Sequence, residues 1–321
     1  MLIVPEREIA DLMTREAAFD AVEQVFAAMA SGDAYNFPVV REAIGHEDAL
    51  YGFKGGFDRA GLTLGLKAGG YWPNNLEKRN LINHQSTVFL FDPDTGKAKA
   101  MVGGNLLTAL RTAAASSVSI KHLAREDAKV MGMIGAGHQA TFQLRAALEQ
   151  RNFEKVIGWN YHPDMLPNIE NVANEAGLPF EAVDLQDMQE ADVIISITSA
   201  FEPSLMANHV SAGTHIACMG TDTKGKQEVE AALLPRATVF TDEVAQSISI
   251  GEAQHAIADG LIAEADVYQI GAVINGTHPG RTSAEEITLF DGTGVGLQDL
   301  AVAASVVVLA VAKGIAIEVD F

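Results

Sequence analysis

Residues 129–150 read KVMGMIGAGHQATFQLRAALEQ. An apolar run over 129–134 meets Gly135-Ala136-Gly137-His138-Gln139-Ala140 and then a helix-forming stretch, so strand, GxGxxA turn and helix follow in order. Each small residue has a physical purpose there. Gly135 allows the tight turn, Gly137 lets the backbone approach a pyrophosphate, Ala140 permits close packing, and the helix N-terminus faces the phosphates. The alternative is a tight βα turn that holds no ligand. The next strand ends at Asn160, where NAD-binding chains usually place an acid on the ribose. Asn160 can hydrogen-bond a ribose, and residues 160–166 carry no Arg or Lys to neutralise a 2′-phosphate. The expected cofactor is therefore NAD (NADH) rather than NADP.

The segments on either side differ in texture. Beyond about Thr108, helix and strand alternate, with strands expected at 129–134, 155–159, 192–197, 214–219, 237–241 and 286–290. That is the pattern of a parallel sheet covered by helices. Upstream, residues 14–31 place Phe19, Val22, Phe26 and Met29 on one helical face, with Thr14 as N-cap and Gly32 past the end. From Asn36 to Gly104, short apolar runs broken by the glycine pairs Gly55-Gly56, Gly69-Gly70 and Gly103-Gly104 read as mostly β structure. Asp92-Pro93-Asp94-Thr95-Gly96 has the chemistry of a hairpin turn, which implies an antiparallel or mixed sheet. A final helix over about 296–313 leads into IAIEVDF, whose alternation suits a strand returning to the first domain. The fold expected is α/β, with the second domain inserted between two parts of the first.

Composition narrows the function. With 321 residues, 48% of them hydrophobic, the chain can bury a core in two domains. Its 22 basic and 42 acidic side chains give a formal charge of −20, which repels phosphate backbones and anionic lipid. Nucleic acid and membrane are thus not expected partners. The single Cys218 excludes an internal disulfide or a cysteine-based zinc cluster, and its apolar strand marks it as core. No HExxH or clustered carboxylate pattern points to a metal. The opening MLIVPEREIADLM reads as neither signal nor transit peptide, and the apolar run at 300–312 is too short for a membrane span, so the expected location is cytoplasmic.

Some charges are not needed for folding. Arg111, amid the small residues of LLTALRTAAASS, suits carboxylate recognition through its planar fork, or else pairs with an internal acid. Lys67 lies in the apolar LTLGLKAGG, where a strand lysine is more often on an edge or a solvated face. Arg41 could equally be a surface cation. Asp222, just beyond a parallel strand, stands where open α/β sheets bind ligands, or is a turn residue. Lys54, Tyr71, Asn74, Asn75, Asn83, His84 and Ser86 enrich one region in polar groups. They suit a substrate with a second carboxylate, unless the region is an ordinary exposed loop. His84 would then touch the substrate, against the commoner reading of a hydrogen-bonded structural histidine.

Taken in order, these segments resemble the ornithine cyclodeaminase/mu-crystallin family. The resemblance runs through Arg41, Gly65-Leu66-Lys67, LTALRTAAA at 107–115, Gly135-Ala136-Gly137, Gly220-Thr221-Asp222, Gly251-Glu252, Pro279-Gly280-Arg281 and TLFDGTGVGLQD at 288–299. It implies a Rossmann dinucleotide-binding domain (115–299) inserted in an α+β substrate-binding and dimerisation domain (1–114 plus 300–321), in a homodimer. By the same resemblance Arg41, Lys67 and Arg111 hold a substrate carboxylate, and Asp222 faces the amino or imino group. Lys67 is the better proton-donor candidate and Asp222 could stabilise a cationic nitrogen, with the roles of proton donor and electrostatic orienter open for each. Cofactor contacts are expected from Arg111, Thr112, Gly135, Gly137, His138, Gln139, Asn160, Thr198, Met219, Thr221 and Gly294. One departure is Gly292, where many members have Ser. The implied reaction is reduction of a small 2-imino acid by NADH to an L-amino acid, most specifically iminosuccinate to L-aspartate. The alternatives are a cyclodeaminase that releases ammonia while recycling NAD, and a crystallin-like binder without turnover.

Overall fold

The computed structural model describes residues 1–321, which divide into two compact units. One comprises Met1–Arg111 with Val295–Phe321; the other is the continuous stretch Thr112–Gly294.

The first unit begins with β1 (Leu2–Val4) and a helix at Arg15–Ala30. Thr14 caps that helix by accepting from the Ala17 N–H at 3.1 Å, and Gly32 follows its end at φ 75°. Val22, Phe26 and Met29 are buried and Phe19 is half-buried, as the 3.6-residue period requires. Full burial of such side chains stabilises by roughly 1.5–3 kcal/mol each. Next come β2 (Ala34–Asn36), β3 (Val40–Ala43), β4 (Leu50–Asp58), β5 (Thr63–Tyr71), β6 (His84–Phe91) and β7 (Ala98–Gly103). They lie in the order β1-β7-β6-β5-β4-β2, with β3 also on β4, and only the β1–β7 pair is parallel. The hairpin turn forms where expected: Asp92 Oδ1 accepts from the Thr95 N–H at 2.8 Å, and Gly96 takes φ 72°.

The glycine pairs at 55–56 and 69–70 do not break strands; they lie inside β4 and β5. Close approach explains them. A Cβ on Gly56 would come within 2.9 Å of Leu297, and one on Gly65 within 2.9 Å of Leu300. Both leucines belong to the helix Gly296–Ala312, which packs against β4 and β5. Strand-destabilising glycine is thus exchanged for a helix laid directly on the sheet.

A helix at Asn105–Leu123 carries the chain into the second unit; its first amides donate to Glu6, from Leu106 N at 2.7 Å and Asn105 N at 3.1 Å. The second unit holds β8 (Val130–Ile134), β9 (Lys155–Trp159), β10 (Phe180–Ala182), β11 (Val193–Ser196), β12 (His215–Cys218), β13 (Ala237–Thr241), β14 (Val267–Gln269) and β15 (Ile287–Asp291). All pairs are parallel, in the order β10-β9-β8-β11-β12-β15-β13-β14. This is a doubly wound Rossmann-type sheet, and its strand order reverses between β8 and β11. All six expected strands are present. The two unexpected ones are three-residue edge elements, too short for a hydrophobic period. Cys218 is core, and Arg281 is structural: it donates to the Leu123 carbonyl at 2.6 Å and to Thr288 Oγ1 at 2.9 Å.

After β15 the chain re-enters the first unit through the Gly296–Ala312 helix and β16 (Ile317–Glu318). The last strand pairs antiparallel with β1, Leu2 opposite Glu318. No helix is long and apolar enough to cross a membrane.

Candidate active site

In the second unit, the carboxyl ends of β8, β11, β12 and β15 carry most of the residues expected at a cofactor. Gly135 has φ 104°, and a Cβ there would meet the Ile197 carbonyl oxygen at 2.5 Å. Gly137 differs: its backbone is extended and a Cβ would meet nothing within 4 Å. The first glycine is required by the turn itself, whereas the second leaves open space above the helix N-terminus. No side chain caps that helix, His138–Ala147, so its leading amides are available to an anion. His138 is exposed and rests against the Phe142 ring, while Gln139 Oε1 is buried without a partner. These features fit a dinucleotide pyrophosphate.

Asn160 has internal partners on both of its amide atoms. Its Oδ1 accepts from the Ala136 N–H at 3.0 Å and its Nδ2 donates to the His162 carbonyl at 2.7 Å. The amide therefore braces the glycine turn, and Asn168 does likewise by donating to the Ala136 carbonyl at 2.9 Å. Sequence reasoning missed Asn168.

Buried carboxylates fix the other strand ends. Glu228 accepts from Ser196 Oγ at 2.6 Å, Thr198 N at 2.7 Å, Thr198 Oγ1 at 2.9 Å and Gly220 N at 2.6 Å. Asp242 accepts from Thr293 Oγ1 at 2.6 Å and Gly294 N at 2.8 Å. Glu252 accepts from the amides of Glu228 and Val229, and Asp291 from Ser247 Oγ and the Glu252 amide. Burial pushes the Glu252 carboxyl up to about 7, helped by Glu228, and raises Asp291 well above the carboxylate range. Thr198 and Gly294 thus stand on loops held by Glu228 and Asp242, which the sequence reading did not single out, with Glu252 and Asp291 from the family motifs behind them. Met219 packs where Gly292 leaves room, since a Cβ at 292 would come within 2.6 Å of its sulfur. Asp222 is half-buried and paired with Lys226 Nζ at 2.9 Å, a partner not foreseen.

In the first unit, a different set converges. Lys67 lies on central strand β5, opposite Lys54 and Val88, and is only 6% exposed. The edge or solvated-face alternative is therefore excluded. Its Nζ lies 2.8 Å from Asp299 Oδ2, and Arg111 Nε donates to Asp299 Oδ1 at 3.1 Å. Arg111 Nη1 donates to Gln298 Oε1 at 2.9 Å. Arg111 does pair with an internal acid, but that acid serves two cations. Asp299 lies in the first turn of its helix, where the backbone dipole favours an anion. The sequence signal for it was an isolated acid at the head of a strongly apolar helix.

Desolvation pushes the Lys67 ammonium down to about 7, with Arg111 and Lys54 adding to that effect and Asp299 opposing it. Burial would raise the Asp299 carboxyl, but Arg111 and Lys67 outweigh it and hold it below the usual carboxylate range. His84, at the start of β6, accepts from or donates to Ser86 Oγ at 3.2 Å. Burial lowers its imidazole to about 3, aided by Lys67 and Arg111, so the ring is neutral in ordinary buffers. Arg41, on β3, adds to the field at His84. The structure thus brings Lys67, Arg111 and His84 together, with Arg41 in electrostatic reach. Thr112 is buried in the helix that carries Arg111.

A doubly wound sheet with a glycine turn at its strand-order reversal, and a unit that buries two cations on one carboxylate, define a dinucleotide-dependent enzyme of small charged substrates. The chain belongs to the ornithine cyclodeaminase/mu-crystallin family, whose model matches residues 2–313. It is 70% identical over 321 residues to the iminosuccinate reductase of Paracoccus denitrificans, covering 100% of both chains. The crystal structure of that reductase in complex with NAD+ superposes with a TM-score of 0.96, covering 100% of this chain and 99% of that one. An archaeal alanine dehydrogenase dimer with bound NAD, 31% identical, gives 0.94 over 100% of this chain and 99% of that one.

Proposed function

We propose that the protein reduces iminosuccinate to L-aspartate with NADH. The observation that carries this reading is the pair of buried cations, Lys67 and Arg111, sharing the single carboxylate of Asp299. With Lys67 protonated the group has a net positive charge out of water, a costly arrangement that a substrate anion relieves. Arg111 takes one substrate carboxylate with Lys67, and Arg41 and Lys54 supply positive charge for a second. Likeness to the iminosuccinate reductase of Paracoccus denitrificans supports the dicarboxylate over a monocarboxylate.

Gly135, Gly137, His138 and Gln139 would hold the dinucleotide's pyrophosphate, and Thr198, Met219, Thr221 and Gly294, with Asn160 bracing the turn, would hold the rest of it. When bound, reduced NAD supplies a hydride. Lys67 Nζ holds a proton, delivers it to the imine nitrogen and so makes the neighbouring carbon more electrophilic. Arg111 fixes the carboxylate and thereby the face of the imine that is presented. Asp299 keeps Lys67 in place and sustains its charge near neutral pH. Asp222, held by Lys226 Nζ at 2.9 Å, is the residue proposed to face the amino or imino group, as the family resemblance implies.

The protein acts as a cytoplasmic homodimer in this reading. The first unit exposes an apolar face, with Tyr35 49%, Val40 47% and Phe53 44% exposed, and Val40 stands directly opposite Phe53. The dimeric archaeal relative supports that assembly. The test is NADH oxidation in mixtures of ammonium with oxaloacetate, pyruvate or glyoxylate. Oxidation that requires ammonium and favours oxaloacetate supports the reading. Ammonia release from ornithine with catalytic NAD, and no NADH oxidation with any carbonyl, overturns it in favour of cyclodeamination.

A further inference from the structure

Lys67 is buried, and after giving up a proton it needs another. One hydrogen-bonded path leaves it within its own unit. Lys67 Nζ donates to Thr108 Oγ1 at 3.5 Å, Thr108 Oγ1 lies 3.3 Å from Ser86 Oγ, and Ser86 Oγ lies 3.2 Å from His84 Nε2. The path runs from an amine that is 6% exposed to a half-buried imidazole. Its middle member is tightly held. The Ser86 N–H donates to Asn105 Oδ1 at 2.8 Å, and the Ser86 carbonyl accepts from the Gly104 N–H at 3.1 Å. Glycines clear the space around it: a Cβ on Gly104 would lie 2.6 Å from Ser86 Oγ, and one on Gly69 2.6 Å from Ser86 Cβ.

We propose that Thr108, Ser86 and His84 form a proton relay that reloads Lys67 during turnover, a role that rests on the imine-reductase reading above. A proton enters at the His84 ring as the proton on Nε2 passes to Ser86 Oγ. The Ser86 hydroxyl proton moves to Thr108 Oγ1, and the Thr108 hydroxyl proton to the neutral Lys67 amine. Only O–H and N–H bonds change, and one proton enters for each one Lys67 delivered. The imidazole faces Lys67, Arg111, Asp299 and Arg41, and Lys67 faces Lys54 as well. Burial, with Lys67, Arg111 and Arg41 and against Asp299, keeps His84 neutral at rest, so it passes a proton on rather than storing one.

The test compares Ser86→Ala, Thr108→Val and Thr108→Ser in steady-state NADH oxidation with oxaloacetate and ammonium. The expected result is a fall in kcat of about 10- to 100-fold for Ser86→Ala and Thr108→Val, with KM for the imine unchanged. Thr108→Ser, which keeps the hydroxyl, should restore most of the rate. Added imidazole should raise kcat in a His84→Ala variant, where it can take the place of the missing ring, and leave the unmodified protein unaffected. Unchanged kcat in Ser86→Ala overturns the relay, as does a Thr108→Ser variant as slow as Thr108→Val. If the unmodified protein oxidises no NADH with any imine, the reductase reading fails and the relay falls with it.

Discussion

Lys67 controls the expected pH behaviour. As the proposed donor it must be protonated, and burial holds its ammonium down to about 7, so imine reduction should decline as pH rises through about 7. The reverse oxidation needs the free amine and should rise over the same interval. Because Asp299 holds the Lys67 value up, Asp299→Asn should move both limbs to lower pH, which pH–rate profiles of kcat would reveal. Stability should drop too, by about 3–5 kcal/mol, since a buried ion pair loses one partner. Lys67→Met should cut kcat by roughly 100- to 10,000-fold while NADH affinity, followed by fluorescence titration, stays unchanged. Unaltered turnover in Lys67→Met would remove it from the chemistry.

The glycine turn after β8 separates folding from binding. Gly135→Ala forces a side chain onto φ 104° and against a backbone oxygen at 2.5 Å, so chemical denaturation should show a loss of about 1–3 kcal/mol. Gly137→Val meets open space in an extended backbone; its denaturation midpoint should hold while the NADH Kd rises tenfold or more, about 1.4 kcal/mol. The carboxylates behind the strand ends make a separate prediction. Burial, with Glu228 beside it, pushes the Glu252 carboxyl up to about 7, above its unfolded value of 4.5, so its contribution is full below 4.5 and lost as pH rises through about 7. Glu252→Gln should flatten that part of the stability–pH curve, with a gain on the order of 1–3 kcal/mol at pH 8. A curve that keeps its slope in the variant would assign the proton to another group.

Across the molecule, the sequence was legible wherever a local pattern decides the structure. The apolar runs ending at Ile134, Trp159 and Thr241 became strands because parallel strands are buried on both faces. Thr14 and Gly32 marked the ends of a helix because capping is local chemistry. What stayed hidden depends on distant partners. Nothing near Arg111 or Lys67 in sequence names Asp299, which lies 188 residues from Arg111. Gly56 sits in a glycine pair that reads as a break because the helix it makes room for, through Leu297, comes at the far end of the chain. If the proposed dimer forms through the exposed sheet face that carries Val40 and Phe53, Phe53→Glu should give a monomer in sedimentation, and a dimer that persists would place the interface elsewhere.

The most direct test of the reductase reading follows the hydride itself. Protein incubated with oxaloacetate, ammonium and NADH deuterated at nicotinamide C4, in each of its two stereochemical forms, should yield L-aspartate carrying deuterium at C2 from one form only, as mass spectrometry would show. Unlabelled aspartate from both forms, or deuterated malate in place of aspartate, would contradict it.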